Sequence, residues 1–428
     1  MPIDPAAPRI AFSERTHWSP VEGSSAEEQP KGVGDRDGSG RGPEADGAKV
    51  GDLLDLTVSN PTAVGFTVDA AALLDSFRDA RALVYDPDPL GMLAARGAVV
   101  RYYADHGTAV DAKQVLLTTS TSEGYSFLFR LLCDPGDEVM VPQPSYPLFD
   151  LLAGLECVRL RPYPLFYDHG WWIDFDRLLA AITPRTRALL LVHPNNPTGH
   201  FTSAVERAEI ERICAEKGIA LIVDEVFLDF PLAEEPRSIP GQARYPPTGT
   251  DRHSFARGEH PALTFVLSGM SKIAGLPQMK AAWIVTCGPA AERREALWRL
   301  EVVADTYLSV NAPVQLALAG WLDYRRGFQQ QAIVRARANL ATASTLAPDV
   351  LGVLACDGGW SAVLRLSPWI EDSPALARRL RDAGVLVHPG SFYGMAEGNR
   401  VVVSLLTPEV VFRNGVERIA AAMIEAGA

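Results

Sequence analysis

Lysine is the scarcest charged residue of this chain: six lysines stand against thirty-four arginines in 428 residues. Lys31 and Lys49 lie in a polar N-terminal segment, and Lys113 and Lys217 sit in turns just before apolar runs. Only Lys272 and Lys280 remain, eight residues apart in "LSGMSKIAGLPQMKAAWIV". Other features are missing altogether. No apolar run approaches the ~18–20 residues that a membrane-spanning helix needs. The N-terminus has no basic stretch followed by an apolar one, so no secretory leader is expected. The five cysteines are scattered and never form C-x-x-C, which suits reduced thiols of a cytoplasmic protein better than a disulfide scaffold. Neither G-x-S-x-G nor H-E-x-x-H occurs, so the serine and zinc hydrolase signatures are absent. Acidic residues outnumber basic ones, 52 to 40, for a net charge of −12, whereas nucleic-acid binding needs a basic face.

Apolar residues supply 47% of the chain, enough for a large core. Residues 1–50 read as a solvated, disordered tail, rich in Gly, Pro, Ser and charge from position 20 onward. Asp35, Asp37, Ser39 and Gly40 resemble half of a calcium loop, but Pro43 intrudes and Asp46 replaces the closing glutamate. From Gly51 the texture changes. "QVLLTT", "EVMVPQ", "ALLLVHP", "IALIVDE" and "TFVLSG" are short apolar runs with helical stretches between them. Such runs are strands buried on both faces. The alternation implies an α/β fold, a mainly parallel sheet with helices on both faces, with ligands bound beyond the carboxyl ends of its strands. After about residue 305 a long helical tract leads to "WSAVLRLS", "GVLVHPGSFYG" and "RVVVSLL", the strands of a smaller α/β domain. The expected division is 51–90 as an arm and part of the small domain, 91–305 as the large domain, and 306–428 as the small C-terminal domain. Residues 231–261, full of breakers, read as an exposed loop.

Four pieces lie where the strands of the large domain emerge. In the lysine loop, a desolvated amine is a nucleophile able to hold a carbonyl as a Schiff base, although loop lysines are ordinarily solvated. "HPNNPTGH" (193–200) is good turn chemistry, or presents an Asn side chain to a ligand oxygen. Asp224 and Glu225 follow five apolar residues; a carboxylate there either caps the next helix or pairs with a buried cation. Ser120, Thr121 and Ser122 open a helix, as a cap or as a phosphate seat.

"PNNPTG", then "DEVF", then "SGMSK", in three successive strand–loop units, resembles the fold-type I pyridoxal-phosphate enzymes, specifically the class I/II aminotransferases, over residues 51–428. The resemblance implies pyridoxal 5'-phosphate as cofactor, an α-amino acid and a 2-oxo acid as substrates, and ping-pong transamination. Lys272 matches the Schiff-base lysine and Asp224 the partner of the pyridine nitrogen. Asn196 matches the donor to the ring's 3-oxygen, close to the substrate carboxylate. Tyr146 in "PSYPLF" matches the ring-stacking aromatic, and Ser120, Thr121 and Ser122 the phosphate turn. Lys280 occupies a phosphate-binding seat that most members give to arginine, and Arg400 matches the clamp on the substrate carboxylate. Tyr85 resembles the tyrosine lent by a neighbouring subunit to the phosphate, which implies a homodimer with shared sites.

The sequence departs from the pattern at two further places. Phe227 stands where many members carry a tyrosine, and Gly269 replaces a frequent phosphate-binding Ser/Thr, leaving Ser268 or Ser271 to contribute. No arginine precedes Asn311 in "ADTYLSVNAP", which weighs against a dedicated aspartate enzyme. The same residues serve lyases, decarboxylases and oxidases of amino acids, so the motifs alone leave that alternative open.

Overall fold

The apolar runs become strands because each buries both of its faces. The computed structural model describes residues 53–233, 252–367, 372–395 and 398–427. The tail at 1–50, with its calcium-like stretch, lies outside the described residues. A short strand, β1 (Leu54–Asp55), comes first. Then follow β2 (Val115–Thr118), β3 (Glu138–Gln143), β4 (Arg159–Tyr167), β5 (Trp171–Ile173), β6 (Thr186–Val192), β7 (Ala220–Asp224), β8 (Thr264–Gly269) and β9 (Ala282–Cys287). Strands β2 to β9 form one eight-stranded sheet in the order β2-β9-β8-β7-β6-β3-β4-β5. The pairs from β8 through β7, β6 and β3 to β4 are parallel. β9 runs antiparallel to both β2 and β8, and β5 turns back along β4. The carboxyl ends of β2, β3, β6, β7 and β8 therefore share one edge of the sheet.

Side chains alternate across this sheet. Leu189, Leu191, Leu221, Val223, Val266 and Trp283 enter one core, where the helix Leu93–Asp105 contributes Val99 and Tyr103. Leu190, Val192, Ile222, Phe265, Leu267 and Ile284 enter the other, against Leu128 of the helix Thr121–Leu132 and Leu300 of the helix Ala290–Tyr307. Burying each such side chain contributes roughly 1.5–3 kcal/mol. A one-residue slip of β7 would exchange the two sets and carry Asp224 to the wrong face.

Five short strands follow: β10 (Leu351–Val353), β11 (Ser361–Leu366), β12 (Val385–Leu386), β13 (His388–Pro389) and β14 (Arg400–Ser404). A four-stranded antiparallel sheet has the order β10-β11-β14-β13, while β1 pairs in parallel with β12. The helix Ala312–Thr345 gives Leu318 and Trp321 to the first core and Ala336 and Ala343 to the small-sheet core. No helix among the described residues is long and apolar enough to cross a membrane.

Two expectations need correction. Residues 231–261 are not exposed throughout: Leu232, Ser254, Phe255 and Ala256 are buried, while 234–251 lie outside the described residues. Leu232 joins the small-sheet core and Phe255 and Ala256 the main-sheet core, and the Glu225 carboxylate accepts from Ser254 Oγ at 2.7 Å and from the Phe255 N–H at 2.5 Å. Burial pushes that carboxyl up to about 7. The lysine loop, expected to be irregular, opens with a single helical turn, Met270–Ile273.

Candidate active site

Asp224 ends β7 on the face that packs against the helix Thr121–Leu132. Tyr125 of that helix donates its hydroxyl to Asp224 Oδ2 at 2.7 Å, and the Val226 N–H donates to Oδ1 at 3.0 Å. The carboxylate thus ties a turn at 226–229 and caps no helix. Burial raises its pKa, against the opposing pull of the Val226 N–H, the Tyr125 hydroxyl and Lys272. Lys272 leaves the helical turn just after β8, the neighbouring parallel strand. Burial lowers the pKa of its amine, opposed by Asp224. A half-buried amine and a buried carboxylate thus stand in each other's field, each displaced towards its neutral form.

The asparagine pair divides its labour. Asn195 is buried, its Oδ1 accepts from Thr198 Oγ1 at 2.9 Å, and its backbone pairs with His200 and Gly199. Asn196 is the half-exposed residue in an otherwise buried run, 191–200. Gly199 has φ +71°, and a Cβ there would meet Cys356 Sγ and the Gly358 carbonyl at 2.6 Å each, so no side chain fits. Gly269 is likewise closed: a Cβ would come within 2.7 Å of Ala282 Cβ. A phosphate-binding hydroxyl at 269 is excluded by the packing of β8 on β9.

Ser120 caps the helix Thr121–Leu132, its Oγ accepting from the Glu123 N–H at 3.2 Å. The Glu123 carboxylate folds back onto the Thr119 N–H at 2.7 Å. The cap is thus present, and Thr121 and Ser122 begin the helix, where main-chain N–H groups favour an anion. Tyr146 is 44% exposed, in a turn pinned to the 390–395 segment by Ser145 N–H to Tyr393 O, 3.0 Å, and Gln143 Nε2 to Gly394 O, 2.7 Å. Arg400 opens β14 and lays its guanidinium 5.7 Å from the centre of the Trp171 ring on β5.

The structure brings Lys272 and Asp224 together and puts Asn196, Tyr146 and the 120–122 turn after carboxyl ends on the same sheet edge. Lys280 follows a 3-10 turn, is exposed, and has φ +53°. Tyr85 is 82% exposed. It lines a groove of about 390 Å³ with Asp86, Asp88, Ser309 and Asn311, away from Lys272 within this chain. Three residues escaped the sequence: Tyr125, Trp171 and Trp360, whose ring centre lies 5.2 Å from Lys272 Nζ. The one signal for Trp360 was its double glycine, "DGGW"; nothing local marked the other two.

Residues 52–419 match the family model for aminotransferase class I and II. Glutamate-pyruvate aminotransferase AlaA of Escherichia coli (strain K12) is 29% identical over 276 residues, 64% of this chain and 64% of that one. The arginine–pyruvate transaminase AruH of Pseudomonas aeruginosa is 27% identical over 347 residues, 78% of this chain and 81% of its own. Among solved structures, the alanine aminotransferase from Pyrococcus furiosus superposes with a TM-score of 0.75 at 22% identity, covering 87% of this chain and 93% of that one. At that identity the structural likeness is one of fold.

Proposed function

This chain belongs to the class I and II aminotransferases, and from that premise we propose that it moves the amino group of an α-amino acid to a 2-oxo acid, with Lys272 as the covalent anchor of pyridoxal 5'-phosphate. The observation that carries the reading is the half-buried Lys272 amine, lowered in pKa by desolvation beside the buried Asp224. A buried carboxylate held by only two hydrogen bonds fits a cationic ring nitrogen, and the open helix start at Thr121 and Ser122 fits a phosphate. Bound there, pyridoxal phosphate supplies an aldehyde for amine exchange and a ring that delocalises the charge left when the Cα proton departs.

The chain's own groups do the rest. Lys272 would take the Cα proton and return it, which needs an amine poised near neutrality. Tyr125 and the Val226 N–H favour the charged form of Asp224 against its burial. Ser120, Thr121 and Ser122 seat the phosphate, with Lys280 as a point charge. Tyr146 walls the ring, while Asn196 and Arg400 receive the substrate carboxylate, the guanidinium by a two-point fork. Tyr85, exposed with Leu83 and Val84, would serve the site of a second copy in a homodimer, and a cytoplasmic setting suits the free cysteines. The two named relatives that use pyruvate support a short 2-oxo acid as acceptor.

The test is borohydride reduction of the purified protein followed by peptide mass mapping. The cofactor is expected on Lys272, and Lys272→Ala is expected to lose it. A reduced adduct on any other lysine sinks the assignment. Amino acids are then screened with pyruvate as acceptor; ammonia released without an acceptor would favour a lyase.

A further inference from the structure

Lys272 projects into an aromatic corner. Its Nζ lies 5.2 Å from the centre of the Trp360 ring and 5.8 Å from that of Phe227. Both fall within the ~6 Å over which a cation is drawn to the negative face of a ring. The two rings meet edge-on at 5.4 Å, and Phe230 and Phe328 back Trp360 at 5.0 and 6.0 Å. Trp360 is 2% exposed and its backbone is clamped on both sides. The Leu405 N–H donates to the Trp360 carbonyl at 2.7 Å, and the Gly359 N–H to the Phe230 carbonyl at 2.9 Å. The ring cannot leave the amine without breaking this packing.

We propose that Trp360, assisted by Phe227, is a positioning residue that holds the Lys272 ammonium by cation–π attraction whenever the amine is not bonded to the cofactor. The proposal rests on Lys272 being the anchoring lysine. Opposing influences meet at this amine. Burial favours the neutral form and Asp224 on β7, itself bonded to Tyr125, the charged one; the two rings, at 5.8 and 5.2 Å, add to the side of the charge. An amine that must accept and then release a proton works best when these nearly balance. The rings supply attraction without a second carboxylate, which would hold the proton too firmly.

The test uses the full-length chain stripped of cofactor. Brief pulses of dinitrofluorobenzene, whose fluoride is displaced by a neutral amine and not by an ammonium, are applied across a pH series, and labelling of each lysine is read by peptide mass. The exposed Lys113 and Lys217 serve as internal references. The Lys272 midpoint is expected to fall in the order wild type, Trp360→Phe, Trp360→Leu, with a drop of about one pH unit for leucine. Leucine keeps the site apolar while removing the π face, and any water admitted into the space left by the indole would raise the midpoint instead. An unchanged or raised midpoint in Trp360→Leu overturns the proposal. If that variant does not fold, Trp360→Phe and Phe227→Leu decide by the same direction. Borohydride labelling of another lysine would defeat the functional reading, while the midpoint order still judges the aromatic seat.

Discussion

Replacing Tyr125 by Phe removes one oxygen and leaves the ring in its core, so it isolates the 2.7 Å hydrogen bond to Asp224 Oδ2. Hydrogen bonds to a charged group are worth about 1.5–3 kcal/mol, which corresponds to roughly one to two pH units on the carboxyl. Burial already raises the folded pKa of Asp224 above its unfolded value. The folded state therefore binds the proton more tightly, and stability falls as pH rises from the ordinary carboxylate range through the folded value. Loss of the tyrosine donor raises the folded value further. Tyr125→Phe should thus cost about 1.5–3 kcal/mol at neutral pH, and clearly less in acid below the ordinary carboxylate range, where Asp224 is protonated folded and unfolded alike. Urea unfolding of stripped protein followed by tryptophan fluorescence measures the difference. Cofactor affinity, titrated by absorbance, should drop on the order of tenfold or more, because the ring nitrogen loses part of its anionic partner. A stability gap independent of pH, or affinity within about twofold of wild type, would refute the claim that Tyr125 keeps Asp224 charged.

Other perturbations separate the remaining roles. Lys280→Ala should weaken cofactor affinity by about tenfold while borohydride still attaches the cofactor to Lys272, as peptide mapping would read. Arg400→Lys should raise KM for the amino acid by roughly 10–100-fold with a smaller effect on kcat, since the charge stays and the fork is lost; steady-state kinetics checks the split. Glu206→Gln breaks a buried pair with His200, 3.1 Å, and should destabilise the fold by about 3 kcal/mol in urea. Burial pushes His200 down, but Glu206 overrides it and raises its pKa. The contribution from His200 is therefore complete below the ordinary imidazole value and fades as pH rises through the folded one, so the gap should narrow toward alkaline pH.

The strands of the main sheet were legible because a strand buried on both faces must be apolar throughout, and each of the five runs in 115–269 did become one. Lys272 was legible only through the resemblance, since elimination among the lysines left Lys280 beside it; the structure adds that Asn195 spends its side chain on Thr198 while Asn196 stays half-exposed. The 254–256 stretch was misread because its burial comes from partners distant in sequence, the Glu225 carboxylate and the main-sheet core, and not from any local periodicity.

By itself the sequence determined which faces are apolar, where the strands end, and therefore which polar side chains stand at the sheet's carboxyl edge. Those properties are local, written in periods of a few residues. Only the tertiary structure decided what those side chains meet. Tyr125 reaches Asp224 across 99 positions, Trp360 covers Lys272 from the loop before β11, and Trp171 lies against Arg400 from another sheet. No periodic pattern encodes such meetings, because they follow from the order in which strands pack and from the volumes left between them.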